Sequence, residues 1–421
     1  MKKLVLLLLA LTVTITLAAC GGDDDDSEEL IIFQNKIEIH DALTAYAEDW
    51  AVRTDNEVDV QSCGGSGCAY GDNLLAELQG NNQPDIFVIE GLTGFLEYQD
   101  MLVQFEDDEW IADTDLAFIH EGDVYGFPVS VEGWGLAYNV DLLDDFGIDP
   151  DDITSQADLL DAFNTIEADK ADHNVEAAVS MAAGSGMTWV TGLHNFNGYL
   201  SAGLEYDDSS VIDDLNNGIV DEDRLEEYAN WVDMLFEHSK QDVLTAGDNY
   251  DAQMAAFLNE ETVFLHQGNW TDPDIVNFFE EEDEEPFDMA YLPHMSVEGE
   301  LDSLFIGAPS WYVINENGNN TELAKEFLND LATTSEGHEY MVNEANMVPA
   351  FNSVTLVPST PLSAELMEWM QEGKSYAWWQ NDMPAGFGMN TLGPIYQLFA
   401  NGDISKQEFI DQVTGEIEDI E

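Results

Sequence analysis

The order of elements between residues 30 and 91 constrains the fold more tightly than any other feature of the chain. "LIIFQNK" (30–36) is a short apolar run that reads as a buried strand, and "IHDALTAYAEDWAV" (39–52) sets Ala42, Ala45, Tyr46 and Trp50 at helical spacing. "EVDVQ" (57–61) follows as a second strand, "NLLAEL" (73–78) as a second helix and "PDIFVIEG" (84–91) as a third strand. Strands joined through helices predict a parallel α/β sheet, because a crossover helix returns the chain to the edge where the last strand began. Longer helices follow at "DLLDDFG", "SQADLLDAFNTI", "DRLEEYANWVDMLFEHS" and "TELAKEFLNDLA", and the tail "SKQEFIDQVTGEIEDI" begins at a Ser405…Glu408 capping box. "ETVFLHQGNW" (261–270) is expected to be a strand running into a turn, and "DSLFIGAPSWYVI" (302–314) a strand broken at Gly-Ala-Pro. No period of 20 to 50 residues repeats, which excludes a solenoid, and 421 residues exceed one ordinary core.

Residues 1–19 form a separate unit. Lys2 and Lys3 precede an apolar run from Leu4 to Leu17, the shape of a secretory signal and short for a membrane span. The run ends in Leu17-Ala18-Ala19-Cys20, which resembles the lipobox of bacterial lipoproteins, where the cysteine is acylated and becomes the new N-terminus. "CGGDDDDSEE" then has the composition of an acidic tether over residues 20–29. The expectation is an exported chain, lipid-anchored at the outer face of the cytoplasmic membrane, or periplasmic where two membranes are present.

The chain carries 87 acidic against 10 basic residues, a net charge of −77, so nucleic acid and anionic lipid are poor partners for its surface. Its acidic runs lack the D-x-[DN]-x-[DN]-G spacing of a calcium loop and read as solvated faces, with no metal or cofactor expected. Self-repulsion on this scale would penalise a compact state in dilute buffer, whereas at 1 M salt the screening length falls to roughly 3 Å. A saline habitat is therefore expected. In an oxidising exterior Cys63 and Cys68, in "QSCGGSGCAY", favour a small disulfide over zinc, since two thiols without a nearby histidine do not complete four ligands.

"GDVYGFPVSVEGWGLAYNVDLLDDFGID" (122–149), "ETVFLHQGNW" and "APSWYVINENGNNTELAKEFLNDLATTSEG" (308–337) resemble the family 1 extracellular solute-binding proteins of ABC importers, with "PDIFVIEG" and "MVPAFN" (347–352) in register. The resemblance covers the chain from about residue 30 to its end. It implies an α/β, two-lobed periplasmic-binding-protein fold of class II type, in which mixed sheets flank an interlobe cleft. On that pattern residues 30–131 with 306–348 make the first lobe, and 132–305 with 349–421 the second.

The resemblance also implies site residues. Glu132, in the "VE" pair at the first crossing, would accept hydrogen bonds from sugar hydroxyls, and Trp270, in "GNW", would stack on a sugar ring. Trp134, between two glycines, is a further candidate at a loop edge. Glu90 ends the third strand and Asn35 and Lys36 follow the first, at the edge where ligands of open α/β sheets gather. Trp189 would supply a second platform, Gln267 and Asn269 side-chain amides, and Trp379 or Phe387, in competition with Trp378, a late ring. Trp311 reads as core. Sugars suit such a set, because their C–H faces pack on aromatic planes while their hydroxyls need fixed acceptors.

The leading expectation is a monomeric binding protein without catalytic activity that hands a carbohydrate to permease subunits and their ATPase. A secreted polysaccharide hydrolase is the alternative from another class, but a carboxylate pair means little among 87 acids. G-x-S-x-G and H-E-x-x-H are absent, and "EGKS" (372–375) has Glu368 where a phosphate loop needs glycine. A polyamine, polyol or metal cargo on the same fold is the third reading.

Overall fold

The structure is a computed structural model and describes residues 29–64, 68–247, 249–283, 285–295 and 301–420. The leader, Cys20 and the tether up to residue 28 lie outside the described residues. In chain order the strands are β1 (Glu29–Gln34), β2 (Glu57–Ser62), β3 (Ile86–Ile89), β4 (Phe118–His120), β5 (Asp123–Pro128) and β6 (Glu132–Asn139). They continue as β7 (Ala177–Ser180), β8 (Thr262–Gly268), β9 (Met289–Leu292), β10 (Leu304–Gly307), β11 (Trp311–Ile314) and β12 (Ser375–Tyr376). Among the described residues they form two six-stranded sheets, one ordered β2-β1-β3-β11-β5-β4, the other β12-β10-β6-β8-β7 with β9 also paired on β6.

β1 runs parallel to both β2 and β3, with α1 (His40–Thr54) and α2 (Tyr70–Leu78) as the crossovers. α1 buries Leu43, Tyr46, Ala47 and Trp50, and Trp50 meets Phe327 edge to face at 5.2 Å. The second sheet is covered by the helix Glu222–Glu237, whose Leu225, Tyr228, Trp231, Val232 and Leu235 are buried. No helix among the described residues is long and apolar enough to cross a membrane.

The stretch 302–314 is two strands in different sheets. β10 pairs with β6, β11 with β3 and β5. Pro309 between them has no N–H to donate to a ladder, so the chain leaves one sheet there and joins the other. β5 and β6 likewise lie in different sheets on either side of residues 129–131. A third passage runs through 348–360 to the helix Pro361–Gln371, which packs on β6 and β9. The crossings are stitched together: Val129 N donates to Ser310 O at 3.1 Å, and Val131 bridges Val348. Ile306 and Gly307 pair with Gly133 and Glu132, on the second sheet and not with the first lobe. Residues 350–351 go the other way, since Thr114 Oγ1 donates to Ala350 O at 2.6 Å and Phe351 lies 4.9 Å from Phe127 of β5.

Cys63 and Cys68 stand disulfide-bonded, their Cα atoms 5.4 Å apart. Cys63 N donates to Gln34 O at 2.9 Å, which ties Cys63 to the end of β1.

Candidate functional site

The parallel strands of the first sheet point their C-terminal ends at the second sheet. Asn35 and Lys36 leave β1 there, and Glu90 leaves β3. From the second sheet come the start of β6 and the end of β8, brought together because these strands are antiparallel with Trp134 opposite Gly268. Two connected chambers lie between the sheets and share Asn35, Lys36, Glu132, Trp189 and His194 in their walls. The larger, about 770 Å³, adds Glu38, Tyr250, Asp251, Trp270 and Asp274. The smaller, about 460 Å³, adds Glu90, Ser310, Gln380, Asn381 and Phe387.

Lys36 donates to Glu132, an ion pair that spans the gap between the sheets with both side chains largely buried. Burial pulls the Lys36 pKa down, but Glu132, Glu38 and Glu90 outweigh it and hold the ammonium above its ordinary value. Asn35 Nδ2 donates to Glu90 Oε1 at 2.7 Å, so this exposed carboxylate is held in place while keeping acceptor capacity toward the cleft. Tyr250 Oη donates to Asp274 at 2.7 Å on the opposite wall.

Trp270 is half-buried and held in place by hydrogen bonds: Nε1 donates to Gln267 Oε1 at 2.9 Å, and Gln267 Nε2 to Gln253 Oε1 at 2.9 Å. Gln253 is fixed in turn by donating to the carbonyls of Ser180 and His266. A Cβ on Gly268 would sit 2.2 Å from the Trp270 ring, so the ring folds back over β8 because residue 268 has no side chain. His194 stacks on Trp270 at 5.0 Å and 24°, and Trp189 meets both rings edge to face. The result is an aromatic wall of Trp189, His194 and Trp270 facing an acidic edge.

The remaining sequence candidates fall elsewhere. Trp134 is 1% exposed and stacks on Phe305 at 4.5 Å, so it is core, not cleft wall. Its flanking glycines mark close packing rather than a loop: side chains at 133 and 135 would strike Leu366 and Leu304 on the opposite face of β6. Gln267 and Asn269 are buried with their amides engaged internally; Asn269 accepts from Gly133 N at 3.0 Å and donates to Ser363 Oγ at 3.1 Å. They are supports for Trp270, although Asn269 also reaches a minor pocket beside the ion pair. Trp379 donates to Asp208 O at 3.0 Å and lies outside both chambers; Trp378 is buried behind His194. Phe387 is the late ring that reaches a chamber wall. Trp311 is core.

His194, Tyr250 and Gln380 were not read from the sequence. His194 lies in a π-helical segment, Trp189–Asn195, which crosses a second one, Phe387–Leu392. The crossing is so close that a Cβ on Gly192 would lie 2.0 Å from Gly388 O. Neither segment has the 3.6-residue apolar period that betrays a helix, and only the Gly192 and Gly388 pair could have hinted at the contact.

A ligand-sized cleft between two α/β lobes, crossed by the chain several times, is the architecture of the periplasmic-binding-protein fold. Residues 42–382 match the bacterial extracellular solute-binding proteins, and the chain belongs to that family. Among solved structures it is similar to the MsmE protein of Bacillus subtilis in an open conformation, at a TM-score of 0.73 and 18% identity over 94% of this chain and 98% of that one. A sugar transporter of Bacillus licheniformis in complex with stachyose aligns at 0.69 and 19% identity, over 93% and 100%. The binding protein RafE in complex with raffinose aligns at 0.71 and 14% identity, over 93% and 99%. No curated protein matches the sequence significantly.

Proposed function

We propose that the chain is a sugar receptor of an ABC importer that captures an oligosaccharide between its lobes and performs no chemistry on it. The observation that carries this reading is the aromatic wall of Trp189, His194 and Trp270 facing Lys36, Glu132 and Asn35 across a cavity of about 770 Å³, with Glu90 in the adjoining chamber of about 460 Å³. Pyranose C–H faces would lie on Trp270 and Trp189, and hydroxyls would bond to the carboxylates and to Lys36. Contacts from both lobes mean that ligand favours the closed arrangement by its differential affinity for it. Stachyose and raffinose in structurally similar proteins support an oligosaccharide of this size class.

In this reading Cys20 carries the lipid anchor, the protein acts as a monomer on the extracellular face, and permease subunits with their ATPase receive the cargo. A thermal-shift screen in molar salt with raffinose, stachyose, maltooligosaccharides, chitooligosaccharides and spermidine tests it. Stabilisation by a neutral glycan that is recovered uncleaved is the expected result. Stabilisation by spermidine alone would move the assignment to a cationic solute, and released monosaccharide would move it to a hydrolase.

A further inference from the structure

The hydrogen bonds behind His194 determine which of its ring nitrogens faces the cleft. Asn197 Oδ1 accepts from the backbone N–H of Gln380 at 3.0 Å, and Asn197 Nδ2 donates to the backbone carbonyl of His194 at 3.1 Å. Backbone groups cannot exchange donor for acceptor, so both ends of the Asn197 amide are fixed. Asn197 Nδ2 also lies 2.6 Å from the Gln380 side chain, whose facing atom must therefore be the acceptor Oε1. The same Oε1 lies 3.0 Å from His194 Nδ1. An oxygen without a proton can only accept, so Nδ1 carries the hydrogen and Nε2 is left with a bare lone pair.

Nε2 has no hydrogen bond among the described residues, and His194 lines both chambers at their junction. The ring is held on three sides: it stacks on Trp270, lies 5.6 Å from Trp189 and 5.2 Å from Trp378. Burial keeps the imidazole neutral, with its pKa down at about 4, and the Lys36 charge acts in the same direction.

From this geometry we infer that His194 is a specificity-determining residue of the cleft: a neutral imidazole locked as a hydrogen-bond acceptor, which selects a ligand with a hydroxyl donor on the ring that rests against Trp270. Asn197 and Gln380 are positioning residues that act through it. The inference rests on the sugar-receptor reading for the ligand, but not for the tautomer.

Two measurements on the full mature protein separate these. Long-range proton–nitrogen NMR with 15N-labelled histidine at pH 7 reads the tautomer directly. A single Nδ1–H form is expected; an Nε2–H form, or an imidazolium, overturns the inference. In Asn197→Asp, the replacement of Nδ2 by oxygen turns the Gln380 amide around, and the population is expected to shift toward Nε2–H; an unchanged tautomer overturns the relay. The second measurement is titration with raffinose and stachyose. His194→Phe keeps the ring stack, removes the acceptor and is expected to weaken the bound sugar about tenfold, and unchanged affinity overturns the role in selection. If neither sugar binds the unaltered protein, the choice of sugars in the receptor reading fails while the NMR result still decides the tautomer.

Discussion

At the scale of single residues, the cleft depends on groups already satisfied from behind, so that they meet a ligand without rearranging. Trp270 is the clearest case, fixed by Gln267 and Gln253 along one line of hydrogen bonds. Trp270→Ala is expected to weaken glycan binding by about 1 to 2 kcal/mol or more, the scale of a lost aromatic contact with its buried area, as measured by calorimetric titration. Gln267→Leu keeps the volume but leaves the Trp270 N–H and one Gln253 oxygen without partners. It is expected to cost about 1 to 3 kcal/mol of folding stability and a smaller part of the affinity, read by urea unfolding beside titration. The sequence places Lys36, Asn35, Glu90, Glu132 and Trp270 around the cleft because each follows or begins a strand, and strand ends are readable, whereas Trp189 is reached only through the family resemblance. Trp134, Gln267 and Asn269 sit beside the same signals but point inward, and direction at a strand end depends on pleat and partner strand, which one sequence does not display.

At the scale of elements, the π-helical crossing and the buried histidines of the second sheet decide how firmly the wall is held. Gly192→Ala drives a methyl group into the Gly388 carbonyl, where backbone, not a flexible side chain, must yield. Overpacking of this kind costs about 1 to 3 kcal/mol, and a lowered melting temperature together with weakened binding is expected, since Trp189 and His194 ride on the same segment. Behind the wall, His266 and His294 flank Trp134 at 5.1 and 5.0 Å. Burial lowers the His266 pKa to about 3 and holds that of His294 well below its ordinary value. Unfolded, both would titrate near 6.5, so the unfolded chain takes up protons that the folded one refuses. The stabilising contribution of His266 is complete above about pH 6.5 and is lost as pH falls toward 3, by about 1.4 kcal/mol per unit, and His294 acts in the same direction. His266→Phe is expected to make the slope of unfolding free energy between pH 6 and 4 shallower by about that amount; an unaltered slope contradicts the assignment. The regular elements were legible from period and caps, as with the helix Lys406–Glu418, where the Ser405 and Glu408 capping box is in place. The division of 302–314 between two sheets was not, because an apolar run with a proline break looks the same whether its halves share a sheet or part.

At the scale of the whole molecule, the two sheets are joined by stitched crossings, and the Lys36 and Glu132 ion pair spans the gap between them. The net charge of −77 acts on the same scale. Unfolding midpoints are expected to rise steeply from dilute buffer to molar salt, as screening shortens to roughly 3 Å, and a flat dependence would remove the argument for a saline habitat. Charge and composition were readable without any structure, whereas a cavity between lobes comes into being only once both sheets have formed. Calorimetric titration of the mature protein with raffinose, stachyose and maltooligosaccharides in molar salt, run beside Trp270→Ala, bears most directly on the central claim. Saturable one-to-one binding of a glycan, weakened at least about fivefold by the substitution, is the predicted result. Binding to the variant as tight as to the unaltered chain, or no heat with any glycan, would contradict it.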